Sequence, residues 1–185
     1  MLVSPSPART DAAAPDLPAS LEAFLAGIGT RAFRFAEAGL RQREDALDAV
    51  QDTMERMLGY ADRPAEEWTP LFWSILRRRI IDVQRRSNFR LRFWAPATTG
   101  DQDDIDWADQ GPGPAEQQEQ QQQYARLVRA LRTLPARQRE AFTLRVLQEL
   151  DVATTARVMG CSEGSVKTHL SRARDALQQQ LESSP

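Results

Sequence analysis

Apolar residues recur every three or four positions along most of this chain of 185 residues, which is the spacing of one face of an α-helix. The first such stretch follows Ser20, a residue that can cap a helix, and ends near Gly39. A second closes at Gly59. Its predicted inner side holds Ala46, Leu47, Val50, Met54, Met57 and Leu58, and its outer side holds Asp48, Gln51, Asp52 and Glu55.

A third helix is predicted to begin at Thr69-Pro70, a cap followed by a first-turn proline, and to end near Asn88. Its core-facing stripe is predicted to hold Phe72, Ile75, Leu76, Ile80 and Val83. Seven arginines lie between Arg77 and Arg92, and Trp73 borders their face. Arginines beside exposed aromatic rings suit single-stranded DNA, because phosphates attract cations and unstacked bases stack on flat side chains. The alternative is a basic helix end with aromatic residues in the core.

The last third of the chain predicts a helix-turn-helix. A helix from about Glu116 ends at Pro135, which opens the next helix as its first residue. Asp151 can cap a helix over residues 152–159, and Gly160 stands where a left-handed residue would end it. Ser162 can cap the final helix. The predicted buried residues are Tyr124, Leu127, Val128 and Leu131, then Phe142, Val146, Leu147 and Leu150, then Val166, Leu170, Ala173, Leu177 and Leu181.

The opposite face of the final helix is small and polar at its start and cationic afterwards. In a recognition helix, short side chains of the first turn reach base edges in the major groove, while longer basic side chains contact flanking phosphates. The sequence therefore predicts a DNA-reading face, the alternative being a solvated surface. Its members are Glu163, Ser165, Lys167, Thr168, Arg172 and Arg174.

Charge is distributed unevenly, so the net charge of -2 does not argue against a nucleic-acid partner. Residues 99–124 contain seven acidic residues and no basic one, whereas residues 125–185 contain ten basic and six acidic residues. We predict a disordered lead over residues 1–19, a helical domain over 20–94, a flexible acidic linker over 95–115 and a second helical domain over 116–182. The expected fold class is all-α.

Several functional classes lack their usual residues in this sequence. Its single cysteine, Cys161, cannot form an intramolecular disulfide, and the only histidine, His169, lies in the predicted recognition helix. No phosphate-binding glycine loop or spaced Cys/His cluster is present. We therefore expect no metal, no cofactor and no enzymatic activity. The chain contains neither an export signal nor a stretch long enough to span a membrane, so we expect a cytoplasmic protein without a membrane partner.

The run LPARQREAF from Leu134, GCSEGSVK from Gly160, and Arg172-Ala173-Arg174 resemble the promoter-reading C-terminal domain of bacterial sigma factors. The small extracytoplasmic-function group is closest in size. The resemblance implies that this helix-turn-helix binds the -35 promoter element. One departure is Thr154-Thr155, where the family usually has an acidic and then an aliphatic residue that helps to fill the core.

The N-terminal half carries two further resemblances. The segment LDAVQDTM is similar to an acidic-x-x-Gln signature with which sigma factors bind core RNA polymerase, which implies that role for Asp48, Gln51 and Asp52. The stretch PLFWSILRRRIIDVQRR resembles the helix that recognises and opens the -10 element. Leu71 replaces a common tryptophan there, and Arg78 a common asparagine. The resemblance implies DNA contacts by Trp73, Arg77, Arg78, Arg85 and Arg86.

The resemblance as a whole implies a sigma factor that binds core RNA polymerase and promoter DNA, with an anti-sigma factor as a further expected partner. One rival is a transcriptional regulator of the response-regulator type, whose DNA-binding domain shares a similar Val-Lys-Thr-His run. Its receiver domain would need alternating strands and helices, whereas residues 20–94 show helical periods only. The other rival is a helical adaptor that binds protein through residues 20–94 and nucleic acid nonspecifically.

Overall fold

The computed structural model describes residues 17–93 and 114–182, and their side chains over 17–87 and 121–180. Within these ranges the chain forms α-helices, one π-helical turn and no strand. The predicted all-α class is therefore confirmed. The predicted disordered lead and acidic linker fall almost entirely outside the described residues. The helices are α1 Leu21–Gly39, α2 Arg43–Leu58, α3 Ala65–Phe93, α4 Pro114–Thr133, α5 Ala136–Phe142, α6 Val152–Met159 and α7 Glu163–Glu182, with the π-helical turn Thr143–Leu147 after α5.

Local capping chemistry sets the start of α1 as the sequence predicts. The hydroxyl of Ser20 accepts a hydrogen bond from the Ala23 N–H at 3.2 Å, which satisfies a donor that the helix itself cannot pair. Ile28, Ala32 and Phe35 are buried along its inner side. The helix ends at Gly39, also as predicted.

The inner face of α2 differs from the predicted one. Leu47 and Leu58 were expected in the core, but their side chains are 42% and 59% exposed. The buried stripe instead includes Ala49 and Thr53, and the Thr53 hydroxyl donates to the Ala49 carbonyl at 2.7 Å. That internal hydrogen bond satisfies the Thr53 hydroxyl, so a threonine can be buried in the core. The buried face of α2 therefore includes Thr53 and excludes Leu47 and Leu58.

The third helix starts earlier than predicted. It begins at Ala65, directly after Pro64, so Pro70 lies inside the helix rather than in its first turn. The residue that favours the earlier start is Trp68, which is 6% exposed and packs its ring against Phe24 with centroids 6.0 Å apart. Burial of this large ring outweighs the one backbone hydrogen bond that a proline removes.

The centre of α3 is buried on more than one side, because α1, α2 and α6 all pack against it. Phe72, Leu76 and Ile80 are buried as predicted. Trp73 is also fully buried, with its ring 5.3 Å from Phe35 and 5.5 Å from Phe72. The prediction that Trp73 faces DNA is therefore wrong, and the alternative of a core aromatic is correct.

Among the C-terminal helices, α4 buries Val128 and Leu131 as predicted. Helix α5 begins one residue later than expected, since Pro135 has an extended backbone with ψ 141° and precedes the helix. The π-helical turn then shifts the helical phase. Val146 is consequently 37% exposed rather than buried, and Leu144 is buried instead.

The N-terminal and C-terminal helices pack against each other. Buried residues of α1, α2 and α3 form one contiguous cluster with Ala141, Leu144, Val158 and Val166 of the C-terminal half. A smaller cluster holds α4 and α7 together around Leu131 and Ala173. The division into domains at 20–94 and 116–182 remains a prediction.

Candidate nucleic-acid interface

The turn from α5 into α6 is held by Asp151. Its Oδ1 accepts the Thr154 N–H at 2.7 Å, and its Oδ2 accepts the Thr154 hydroxyl at 2.8 Å. The backbone hydrogen bond from Thr154, followed by the one from its hydroxyl, lowers the pKa of the Asp151 carboxyl. The negative carboxylate also lies at the positive end of α6. The predicted cap is confirmed.

The unusual pair Thr154-Thr155 fits the helix without an aliphatic side chain. Thr155 is fully buried, and its hydroxyl donates to the Asp151 carbonyl at 2.8 Å. The Thr154 hydroxyl is bound by the cap. Both polar groups are thus satisfied within α6, so the departure from the usual family pattern leaves no unpaired hydroxyl in the core.

Two predicted features form the tight turn between α6 and α7. Gly160 has φ 62° and ψ 48°, a left-handed conformation that glycine adopts without a Cβ clash. The Ser162 hydroxyl accepts the Ser165 N–H at 3.2 Å at the start of α7. From α5, the Arg137 guanidinium donates to the Met159 carbonyl at 2.7 Å and so fixes the end of α6. The three helices therefore form a helix-turn-helix.

Helix α7 buries Val166, Ala173 and Leu177 and turns its other side to solvent. Five of the six predicted base- and phosphate-contacting side chains are exposed there, and Ser165 is partly buried beside Ser162. They are Glu163, Lys167, Thr168, Arg172 and Arg174.

These side chains occupy two edges of α7 rather than one line. Lys167 and Arg174 are seven positions apart, which returns to the same side of a helix, and Ser165 and Arg172 share the other edge by the same spacing. Thr168 lies between the edges, and its hydroxyl donates to the Gly164 carbonyl at 3.0 Å. The helix can thus present a polar centre with a cation on each edge, as a helix seated in a groove requires.

The predicted polymerase-contacting residues of α2 lie on its outer side but differ in what they already bind. Asp48 and Gln51 are exposed, and the Gln51 amide donates to the Glu55 carboxylate at 3.0 Å. Asp52 is paired within the chain, because its Oδ2 lies 2.6 Å from Nε of Arg79 on α3. Asp52 therefore joins α2 to α3.

The arginines of α3 also differ in their exposure and in what they bind. Arg78, Arg85 and Arg86 are exposed. Arg77 instead donates to the Glu140 carboxylate of α5 at 3.1 Å, and both side chains are largely shielded, with 16% and 15% exposed. The spacing of apolar and basic residues in α3 does not indicate Glu140 as the partner of Arg77, because Glu140 lies 63 positions away in the sequence.

Three further observations concern possible ligands and the membrane. Arg78 lines an open depression together with Arg56 and Tyr60. No sequence motif indicated Arg56 or Tyr60 as candidate binding residues. In the part of the chain that the structure describes, no three His, Cys, Asp or Glu side chains are grouped so that they could hold a metal ion. None of the described helices is both long enough and apolar enough to cross a bilayer.

Comparisons with known proteins agree with this geometry. Residues 124–177 match the family model of sigma-70, region 4, a span that covers the end of α4 and the whole helix-turn-helix up to Leu177. The extracytoplasmic-function RNA polymerase sigma factor BldN of Streptomyces coelicolor is 39% identical over 100 residues, or 54% of this chain and 36% of BldN. The chain therefore matches only about a third of the length of BldN.

A second relative matches over more of its own length. The RNA polymerase sigma factor SigV of Bacillus subtilis is 28% identical over 151 residues, which is 80% of this chain and 83% of SigV. Among solved structures, the sigma factor RpoE of Bartonella quintana, in complex with the anti-sigma factor NepR, superposes with a TM-score of 0.64 at 24% identity. The superposition covers 89% of this chain and 98% of that one, and it shows a shared fold.

Proposed function

We propose that this chain is an extracytoplasmic-function sigma factor, which binds core RNA polymerase and directs it to promoters. The observation that carries the proposal is the exposed face of α7, a capped helix of a helix-turn-helix with Lys167, Thr168 and Arg172 directed to solvent. The chain supplies recognition of the promoter, and the polymerase supplies the chemistry. The chain has no enzymatic activity of its own in this scheme.

For α7 we propose that Glu163, Ser165 and Thr168 read bases in the -35 element, whereas Lys167, Arg172 and Arg174 hold phosphates. Substitutions in the two groups should then have different effects on DNA binding. Removing one phosphate contact should weaken binding to all sequences alike and reduce the salt slope by about 0.9. Removing a base contact should cost roughly 1–3 kcal/mol on the preferred site and relax the choice of base at one position.

Binding of variants to a library of -35 duplexes at several salt concentrations measures both effects. Arg172→Ala and Thr168→Ala form a matched pair, because both side chains are exposed on α7. Arg172→Ala should lower the salt slope, and Thr168→Ala should alter base preference. A reversed result would show that α7 docks in another register.

For the polymerase, we propose a contact surface on the outer side of α2 that includes Asp48, Gln51 and Asp52. Exposed Leu47 and Leu58 extend it, because Leu47, Gln51 and Leu58 recur at spacings of four and seven and share one edge of the helix. Protein interfaces combine an apolar centre with a polar rim, and exposed leucines beside polar residues supply both. The leucines that the sequence assigned to the core thus have a proposed role.

Gel filtration with purified core polymerase tests this proposal and separates the sigma factor from both rival functions. The Asp48→Ala/Gln51→Ala variant should bind polymerase less tightly while its melting temperature stays nearly unchanged, since exposed substitutions usually alter stability by less than about 0.5 kcal/mol. Glu22→Ala, on the exposed side of α1, is the control. Failure of the wild-type chain to bind polymerase, with retained binding to duplex DNA, would favour a conventional regulator.

The exposed arginines Arg78, Arg85 and Arg86 are proposed to contact the -10 element, together with Arg77 once it leaves Glu140. An anti-sigma factor is a further proposed partner. That proposal draws on the resemblance, and RpoE of Bartonella quintana was itself solved in complex with one. Purification of the tagged chain from its native host, followed by identification of co-purified proteins, tests it directly.

A further inference from the structure

The Thr168 hydroxyl lies at the centre of the exposed face of α7, and its proton is already used within the helix. Its Oγ1 donates to the Gly164 carbonyl at 3.0 Å. A hydroxyl has one proton and two lone pairs, so a hydroxyl that already donates can offer a ligand only an acceptor. Because Thr168 is exposed, its oxygen is open to a donor from outside the chain.

The other side chains in the first two turns of α7 leave Thr168 as the most accessible polar group at the centre of the face. The Ser165 hydroxyl is partly buried and pairs with the Ser162 hydroxyl at 2.9 Å, and Ser162 also accepts the Ser165 N–H. Lys167 is a donor, but it lies about 100° around the helix axis from Thr168. The carboxylate of Glu163, like the Thr168 oxygen, only accepts.

Gly164 lies one turn before Thr168 on the same line of the helix. It is exposed. Outside the helix backbone and the adjacent residues, a Cβ added at Gly164 would have one described neighbour within 4 Å, the Ser162 Oγ at 3.9 Å. With no side chain at this position, a base edge can approach the backbone of α7 closely and reach the Thr168 oxygen.

The four bases present different groups to an acceptor in the major groove. Adenine offers its N6 amino group and cytosine its N4 amino group, whereas guanine and thymine offer only acceptors, with a methyl group on thymine. An accepting hydroxyl therefore gains a hydrogen bond from adenine or cytosine. To donate to guanine or thymine, the Thr168 hydroxyl would first have to give up its bond to the Gly164 carbonyl.

We propose that Thr168 selects adenine or cytosine at one position of the -35 element, through a hydrogen bond from the amino group of that base to Oγ1. This role of Thr168 rests on the proposed function and adds to it the chemical class of base that is read. Lys167 and Arg172, at the two edges, keep their proposed phosphate contacts. One hydrogen bond changes affinity by about two- to tenfold, which sets the size of the preference.

Duplexes that lack single functional groups test this role. The probe is a fluorescein-labelled duplex with the tightest-binding sequence from the -35 library, and its affinity for the full-length chain, alone and with core polymerase, is measured by fluorescence anisotropy. In one series each adenine in turn is replaced by purine and each cytosine by a pyrimidinone, which removes the amino group and keeps the ring. In a second series each thymine is replaced by uracil, which removes the methyl group.

Wild type should lose about two- to tenfold in affinity when the amino group is removed at one position. Thr168→Val keeps the shape of the side chain without its hydroxyl, so it should bind the parent duplex more weakly by that factor and lose nothing further at that position. Thr168→Ser keeps the hydroxyl and should respond as wild type does. Weakening of the base pair by an analogue affects all three proteins alike, so their comparison isolates the contact. Circular dichroism shows whether each variant is folded.

A further substitution tests the close approach of the base. Gly164→Ala should raise the melting temperature, because alanine favours a helix and the added Cβ has room, but it should weaken binding to the parent duplex. Gly27→Ala is the matched control, since Gly27 is exposed in α1 and a Cβ there has no described neighbour within 4 Å outside its own helix backbone. It should leave DNA binding unchanged. Equal affinity of Gly164→Ala and wild type would overturn the approach over Gly164.

The two duplex series distinguish failure of this role from failure of the proposed function. Equal losses in wild type and Thr168→Val for every amino group removed would overturn base selection by the Thr168 hydroxyl. A uracil substitution that weakens wild type but not Thr168→Ser, without any amino-group effect, would instead place the Thr168 methyl group on a thymine. Failure of the proposed function would appear as equal binding to all library sequences, or as no binding in either form, and either result would overturn base selection as well.

Discussion

The substitution Trp73→Ala distinguishes a core residue from a DNA-stacking residue. The Trp73 ring is fully buried and contacts Phe35 and Phe72 at aromatic distances of 5.3 and 5.5 Å. Truncating a buried tryptophan to alanine costs about 3–5 kcal/mol, because the transfer energy of the ring is lost and a cavity remains. Aromatic pairs of this geometry add about 0.5–1.5 kcal/mol. The upper part of that range is therefore expected, against a total stability of about 5–15 kcal/mol.

Urea unfolding followed by circular dichroism measures the loss. Trp73→Phe should cost less than Trp73→Ala, because it keeps an aromatic ring in the core and leaves a smaller cavity. It also removes the indole Nε1–H, which is buried and has no protein acceptor among the described residues. Tyr60→Ala is the aromatic control in the same half, since Tyr60 is 36% exposed, and it should cost clearly less stability than Trp73→Ala.

Binding to single-stranded DNA completes the test under conditions where each variant is folded. Stacking of one base is worth roughly 1–3 kcal/mol, so a stacking role for Trp73 would weaken binding by that amount. We expect no such loss in Trp73→Phe or in folded Trp73→Ala. An alanine variant of wild-type stability that binds DNA poorly would refute the reasoning from burial.

Two further predictions concern pH. Asp151→Ala should lower the free energy of unfolding at neutral pH by about 1 kcal/mol, the typical contribution of an N-cap. Because the folded-state pKa of Asp151 is depressed, this contribution is present above the unfolded pKa of about 3.9 and is lost as pH falls through the lower folded value. The difference in melting temperature from wild type should therefore shrink in acid, and a constant difference would argue against a charged cap. Burial, and then the hydrogen bond to Glu37, raise the pKa of the Tyr124 phenol. Its stabilising contribution should thus be complete below about pH 10 and decline above that value, so thermal melts should show a steeper alkaline loss for wild type than for Tyr124→Phe.

Local chemistry explains which structural features could be predicted from the sequence. Ser20, Asp151 and Ser162 each satisfy backbone donors within three residues, and Gly160 needs only its own conformational freedom. Such features depend on neighbours in the chain, so their residue types and spacing suffice. The starts of α1, α6 and α7 and the end of α6 follow from them.

Predictions failed where packing from several directions decides burial. Leu47 and Val146 fit a helical period, but the buried stripe of α2 is shifted toward Ala49 and Thr53, and the π-helical turn changes the phase after Thr143. Trp73 follows Phe72 directly, so a single stripe could not include both residues. Helix α3 buries both because helices pack on more than one of its sides.

The contrast extends to the candidate sites themselves. The proposed DNA-reading face of α7 is positioned by caps and a turn formed by neighbouring residues, and the exposure of most of its side chains was predicted from sequence. The availability of Arg77 depends instead on Glu140, which lies 63 positions later and carries no motif of its own. Periodicity can assign Arg77 to a helix face, but it cannot identify a partner across the interface. The residue that pairs with Arg77 therefore lies in the C-terminal half of the chain, where only the folded structure brings it close to α3.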